Sequence, residues 1–276
     1  MSFSERFGGT ERLFGQQETA WLAGSHFVVI GIGGVGSWAA EALARTAVGE
    51  ITLIDLDDIC ITNTNRQVHA TQATVGQMKV ESMAQRIKSI NPECKVNIVM
   101  DFITPDNISN LIPTNVNGVI DAIDSIKPKA ALIAHCRRNK ILMVTTGGAG
   151  GQTDPTQIQV ADLARTIQDP LAAKTRNILR RQYGFPSAEK GKFNVDCVYS
   201  TEQLVYPQAD GSVCTAKPGA GNSTRLDCAS GFGASMMVTA SFGLTAVAHI
   251  INKFLKRQHR MEHTSVNNEP ERSEHG

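Results

Sequence analysis

"HFVVIGIGGVGSWAAEALARTAVGEITLIDLDD", residues 26–58, decides the fold. Phe27–Ile30 is a short apolar run rich in β-branched residues, as a strand covered on both faces should be. Gly31, Gly33 and Gly36 follow in GxGxxG spacing. Trp38, Ala39, Ala42 and Leu43 then recur at helical spacing, and Ile51–Ile54 is a second apolar strand. A strand, a glycine turn, a helix and a second strand in this order predict a βαβ unit. In such a turn the first glycine permits the sharp bend and the second lets backbone approach a phosphate. The third lets helix and strand pack closely, with the helix N-terminus facing negative charge.

The alternation continues outward. Residues 76–90 predict an amphipathic helix, 95–100 a strand, 118–124 a fourth strand ending in carboxylates, 128–139 a helix and 141–145 a further strand. This predicts an α/β, doubly wound, mostly parallel sheet of Rossmann-like type. Past "TTGGAGGQTDPTQ" (145–157) the pattern changes to an elaborated C-terminal half. A strand is expected at 158–163, a basic helix at 170–182, a loop at 183–195 and a strand at 197–207. One domain over 1–257 is expected, with a basic insert at about 170–195 and a polar, disordered tail over 258–276.

The bulk composition narrows the function. The chain has 276 residues, 41 % apolar and 19 % charged, which is a globular composition. A net charge of +1 excludes nucleic-acid binding by overall charge, so such a partner needs a local patch. Its six cysteines are all at least fourteen residues apart, with no CxxC pair, so no zinc ribbon is expected. The first fifteen residues lack the apolar stretch of a signal peptide, and a reducing cytoplasm is expected. "GFGASMMVTASFGLTAVAHII", 231–251, has no charged residue and is long enough to span a bilayer. Its richness in Gly, Ala, Ser and Thr favours a tightly packed buried helix; membrane association is the alternative.

The loop after the second strand, "DLDDICITNTNRQ" (55–67), bears on the ligand. Asp55 lies nineteen residues after Gly36, where an acid can hold ribose hydroxyls. Asp57, Asn63, Asn65, Arg66 and Gln67 follow, and Lys79 opens the next helix. A hydride cofactor needs little positive charge beyond its pyrophosphate. A triphosphate undergoing substitution needs cations and donors around its leaving group. The set therefore suits ATP, with Asp124 placed to hold Mg²⁺ on the phosphates. Each residue alone also has an ordinary structural use, Asn and Asp in turns and Lys on a solvated helix face.

"GIGGVGS" (31–37), "DLDDICITNTNRQ", Lys79 and "DAID" (121–124) together resemble the ubiquitin-activating-enzyme superfamily, which includes the adenylating enzymes of molybdopterin and thiamine biosynthesis. The resemblance implies ATP·Mg²⁺ bound against Gly31, Gly33, Gly34 and Gly36, with Asp55 and Asp57 on the nucleotide and Asn63, Arg66 and Lys79 on phosphate. It implies Asp124 near Mg²⁺ and adenylation of a carboxylate with release of pyrophosphate. "RFGGTERLFG" (6–15) resembles the segment that passes an arginine across a homodimer interface; Arg12 is the expected arginine and Arg6 the alternative. The absence of CxxC pairs sets the chain apart from zinc-bearing relatives. "RRNKILMVTTGGAGGQTDPTQIQVADLARTIQDPLAAK" (137–174) and "VDCVYSTE" (195–202) are similar to the family of bacterial tRNA threonylcarbamoyladenosine dehydratases.

That likeness implies an enzyme that activates the threonylcarbamoyl carboxylate on the adenosine beside the anticodon and closes a ring with net loss of water. Cys197 is the candidate for a covalent step, since some relatives form thioesters, although a lone cytosolic cysteine is usually a buried hydrophobe. Lys174, Arg176, Arg180, Arg181, Lys190 and Lys192 form the expected tRNA patch, against a solvated helix face as the plain reading. The alternatives are adenylation of the C-terminus of a ubiquitin-like sulfur carrier, a regulatory ATP-binding partner of sulfur-transfer proteins, and a nicotinamide oxidoreductase.

Overall fold

The computed structural model describes residues 2–187, 189, 191–208, 210–216 and 232–266, with residues 265 and 266 described as backbone only. Lys190 and the segment 217–231 lie outside the described residues, as does 267–276.

Two helices open the chain, α1 (Phe3–Phe14) and α2 (Gln16–Ala23). Ser2 and Glu5 form a capping box on α1, and Gly15 at φ +109° makes the break between the helices. Then come β1 (His26–Ile30), α3 (Gly36–Arg45), β2 (Glu50–Ile54), α4 (Lys79–Ile90), β3 (Lys95–Val99), α5 (Ile108–Leu111), β4 (Gly118–Asp121), α6 (Ile126–Arg138) and β5 (Met143–Thr146). The C-terminal half contributes β6 (Ile158–Asp162), α7 (Pro170–Gln182), β7 (Asp196–Ser200), β8 (Tyr206–Pro207), β9 (Val213–Cys214) and α8 (Met236–Val266).

Among the described residues, seven strands form one sheet in the order β3-β2-β1-β4-β5-β7-β6. All neighbouring pairs are parallel except β6, which runs antiparallel to β7. The expected α/β doubly wound, mostly parallel architecture is thus the observed one. Strand order reverses between β1 and β4, which opens a crevice beyond their C-terminal ends, where ligands bind in such sheets.

Side-chain alternation sends each strand's residues to two cores. Phe27, Val29, Ile51, Leu53, Ile120 and Val198 face α3, α4 and α8. Val28, Ile30, Ile54, Val119, Cys197 and Tyr199 face the α5, α6 and α7 side. Helices on both faces explain why these strands read as continuous apolar runs.

Three sequence expectations are corrected. The strand expected over 197–207 is two pieces, β7 and β8. Between them Glu202 turns back, and its carboxylate accepts from the amides of Thr153 and Asp154 at 3.0 and 2.9 Å. The apolar helix begins at Met236 rather than 231. Ahead of it Gly233 is drawn into an irregular pairing, its carbonyl accepting from Gly151 N–H at 2.8 Å. The same helix continues over 258–266, part of the stretch expected to be a disordered tail. Contacts with α2 hold that extension: Trp21 packs edge-on against His259, Glu18 pairs with His259 at 3.0 Å, and Gln17 donates to Glu262 at 2.7 Å.

The small residues of α8 serve packing. A Cβ at Gly243 would stand 2.5 Å from the Val35 carbonyl, so α8 lies directly on the start of α3. Among the described residues one helix, within Met236–Thr264, is long and apolar enough to cross a membrane, and 61 % of its apolar window is buried within the protein.

Candidate active site

A cavity of about 690 Å³ lies along the C-terminal edge of the sheet, within the ~300–1,000 Å³ of ligand pockets in general. It gathers Gly31, Gly33, Gly34, Asp55, Asp57, Asn63, Arg66, Lys79 and Asp124. Gly36 stands behind the wall: its Cβ would fall 1.8 Å from the Gly31 carbonyl, so it serves the close helix–strand approach. Gly31 adopts φ +83°, and a Cβ there would press to 2.8 Å on the Ala122 carbonyl. Gly33 has open space in front of it, with the Gln67 amide nitrogen 4.0 Å away as its nearest neighbour.

Asp55 joins the glycine turn to the loop after β2. Its carboxylate accepts from Ile32 N–H at 2.6 Å and from Asp57 N–H at 2.9 Å. Burial raises its pKa above the ordinary carboxylate value, opposed by nearby Lys79. Lys79 is only 7 % exposed. Its Nζ donates to the Asp57 carboxylate at 2.7 Å, and its backbone N–H donates to the Asp57 carbonyl. The fold thus holds one ammonium at the start of α4 with a single half-exposed carboxylate as its partner.

The 61–67 turn presents the remaining polar groups. Asn63 Oδ1 accepts from Cys60 N–H at 3.0 Å. The Arg66 guanidinium donates through Nη1 to Thr62 O and Asn65 Oδ1, both at 2.9 Å, while Trp38 Nε1 donates to its carbonyl. Asn65 Nδ2 donates to Ala234 O at 2.9 Å and ties this turn to the segment before α8. Gln67 Oε1 and Thr239 Oγ1, both in cavity-lining residues, are buried without a hydrogen-bond partner among the described residues. Such orphaned atoms need a bound partner to offset their desolvation.

Asp124 sits in the turn after β4 rather than at the strand end. No hydrogen bond or ion pair to another described residue engages its carboxylate. A buried device holds this turn. Asp121 accepts from Ile123 N–H at 3.0 Å and from Thr145 Oγ1 at 2.6 Å, and it pairs with Lys129 at 2.9 Å. Lys129 Nζ in turn donates to Ile123 O at 2.8 Å. Of "DAID" the sequence points to Asp124, and nothing in it marks Asp121 and Lys129 as a buried pair. A lysine on a helix gives no sign that it is buried.

A second missed element is the glycine loop after β5, where Thr146, Gly147, Gly148, Ala149 and Gly150 line the cavity. Asp169 fixes it. One carboxylate oxygen accepts from Gly148 N–H at 3.0 Å, and the other caps α7 by accepting from Ala172 N–H at 2.8 Å. A Cβ at Gly147 would collide with that carboxylate at 1.7 Å. "GGAGG" at a strand's end was the available signal, by the same edge-of-sheet rule that located the first glycine turn.

Cys197 is set apart from this group. It lies mid-strand in β7, 1 % exposed, under α6 and α7 and outside the cavity wall. Complete burial pushes its thiol pKa far upward. A nucleophile needs the thiolate and access, so the catalytic expectation for Cys197 is corrected to a packing role. Arg12 is exposed on α1 and also outside the cavity wall. Arg6 is committed to structure, donating to Ile90 O at 2.8 Å. Of the basic run, Lys174, Arg181 and Lys192 are exposed, while Arg176 bonds Thr166 Oγ1 and Arg180 lies over the Phe193 ring at 5.2 Å.

Fold and cavity together define a Rossmann-like nucleotide-binding protein. The ThiF family model matches residues 10–273, and the chain belongs to that family. It is 61 % identical over 259 residues to "tRNA threonylcarbamoyladenosine dehydratase" of Escherichia coli K12, covering 94 % of this chain and 97 % of the relative. The protein of that name from Haemophilus influenzae is 53 % identical over 257 residues, covering 93 % and 96 %. Among solved structures, the E. coli tRNA N6-threonylcarbamoyladenosine dehydratase TcdA in complex with ATP aligns with TM-score 0.83 and 56 % identity, over 94 % of this chain and 97 % of that one.

Proposed function

We propose that this chain is an ATP-dependent enzyme that dehydrates threonylcarbamoyladenosine in tRNA, by adenylating its carboxylate and closing the ring. The supporting observation is the cavity, with its two glycine turns, two cations and uncommitted acid at the switch point of a ThiF-family fold whose relatives carry that activity by name.

A carboxylate is a poor electrophile. A threonylcarbamoyl oxygen attacks the α-phosphorus of ATP, the bond to the β-phosphate oxygen breaks, and pyrophosphate leaves. A nitrogen or oxygen of the carbamoyl group then attacks the acyl carbon, and AMP departs with the former carboxylate oxygen. A proton is lost from the carbamoyl group. Closure is intramolecular, so proximity lowers the barrier without an enzyme nucleophile, in keeping with the burial of Cys197.

In this reading Gly33 and Gly34 lie beneath the phosphates, Asp55 takes the ribose, and Asn63, Arg66 and Lys79 take the phosphate oxygens. Lys79 exchanges part of its bond to Asp57 for the nucleotide. The lining acids Asp55, Asp57, Asp101 and Asp124 outnumber Arg66 and Lys79. A triphosphate there needs added positive charge. Asp124, free of protein partners among the described residues, fits Mg²⁺, which when bound would screen the phosphate charge. Arg12 of a second copy in a homodimer is the other source, being exposed and without a hydrogen bond or ion pair among the described residues. Lys174, Arg181 and Lys192 are the tRNA-facing cations. Residues 1–257 act as one adenylating unit, and the site of action is the cytoplasm. Sulfur-transfer proteins are retained as partners of the same chain, and a ubiquitin-like C-terminus is the competing substrate.

The test is mass spectrometry of nucleosides from tRNA carrying threonylcarbamoyladenosine after incubation with enzyme and Mg·ATP. A nucleoside lighter by one water, formed only with ATP, is expected. Unchanged nucleoside with intact substrate overturns the reading.

A further inference from the structure

An exposed aromatic ring forms part of the wall of the same cavity. Phe232 lines the cavity, yet it is 42 % exposed. It is backed by Tyr206, ring centroids 5.1 Å apart and planes at 48°. Tyr206 lines an adjacent cavity of about 360 Å³ with Arg176, Gln203 and Asp169. The two rings therefore form the partition between the cavities.

Backbone seats the partition. Gly151 N–H donates to Gly233 O at 2.8 Å, and Val205 N–H donates to Gly151 O at 2.9 Å. Asn65 holds Ala234, two residues beyond the ring. A Cβ on Gly150 or Gly151 would come within 2.9 Å of Phe232, and Gly151 adopts φ +73°. The glycines after β5 thus make room for an aromatic ring as well as for a ligand.

Position decides what the ring meets. Along the sheet edge the order is β2, β1, β4, β5, β7. The ribose acid Asp55 follows β2, whereas Phe232 packs on the loop after β5. It stands at the acceptor's end of the cavity, away from the ribose end. Single-stranded RNA bases are held by stacking on such rings, because every base offers a π-face. We propose that Phe232, backed by Tyr206, is the platform on which the modified purine of the tRNA stacks, aiming its N6 substituent into the nucleotide cavity. The adjoining cavity, bordered by Arg176 and by the basic helix α7, takes flanking backbone phosphate. Asp169 there is already occupied by the Gly148 and Ala172 amides.

This rests on the tRNA reading above. Steady-state kinetics of Phe232→Ala, Phe232→Leu and Phe232→Trp, with tRNA bearing threonylcarbamoyladenosine and Mg·ATP, test it. The Ala and Leu variants are expected to raise KM for tRNA about tenfold, with Trp near wild type, the size of one lost base–aromatic stack. KM for ATP stays within about twofold in all three, since adenine lies at the Asp55 end. A tRNA KM unchanged in Phe232→Ala overturns the proposal, whether or not ATP binding weakens. So does a Leu variant as good as Trp, which would make the ring mere packing. Should wild type yield no dehydrated nucleoside, the activity reading fails by itself. The platform is then judged by direct tRNA affinity of wild type against Phe232→Ala, where equal affinities overturn it.

Discussion

Asp124 and Cys197 make opposite predictions from their surroundings. The Asp124 residue lines the cavity and its carboxylate makes no hydrogen bond or ion pair with a described residue, so Asp124→Asn should leave the melting temperature nearly unchanged. Its kcat/KM should fall about 10²–10³-fold, the usual size of a lost preorganised electrostatic contact. Calorimetry beside the nucleoside assay separates the two effects. Cys197→Ala should turn over at close to the wild-type rate while losing about 1–2 kcal/mol of stability to the small cavity left in the sheet. A loss of turnover without a loss of stability would restore a covalent role. The loop residues were legible in sequence because they cluster behind a glycine turn whose geometry is nearly fixed. Asp121, Lys129 and Asp169 were not, since a buried charge declares itself only through partners that the chain brings together from afar.

At the level of elements, glycine turns and buried ion pairs set the site. Gly36→Ala would drive a Cβ to 1.8 Å from the Gly31 carbonyl. The helix α3 must shift, at a cost of at least about 2–3 kcal/mol by the general price of overpacking, and ATP affinity should fall with it. Lys129→Met leaves Asp121 charged, fully buried and without its cation, which typically costs about 3–5 kcal/mol. Denaturant unfolding measures both. If Lys129→Met unfolds like wild type, the pair does not hold the Asp124 turn. Strands and helices of the βαβ half were read close to their observed limits, because periodicity there follows burial on both faces. The piece after β7 and the start of α8 were misread. Their paths depend on Glu202 capping Thr153 and Asp154, and on Gly233 pairing with Gly151, contacts between distant segments that local composition does not encode.

For the whole molecule, two groups set how stability follows pH, one half-buried and one buried. Asp196, held by His249 and Lys253, has its pKa lowered to about 2. Its contribution is complete above pH ~4 and is lost as pH falls toward 2, about 1–2 kcal/mol after allowance for partial exposure. His69 is buried with neither ring nitrogen partnered among the described residues, and burial, Lys79 and Arg86 lower its pKa to about 4. Folding keeps it neutral, so stability also declines as pH falls from ~6.5 to 4, by about 2–3 kcal/mol. His69→Gln should flatten that window and Asp196→Asn the lower one in unfolding curves taken across pH. If a second copy supplies Arg12, mixing inactive Arg12→Ala and Lys79→Ala chains should restore about a quarter of the wild-type sites, through heterodimers with one intact site. Recovery of nothing after subunit exchange would contradict an arginine donated across the dimer. Adenylation of the carboxylate itself is tested most directly with tRNA whose threonylcarbamoyl carboxylate carries ¹⁸O. The AMP released should contain one labelled oxygen for each ring closed. Unlabelled AMP alongside dehydrated nucleoside would contradict an acyl-adenylate.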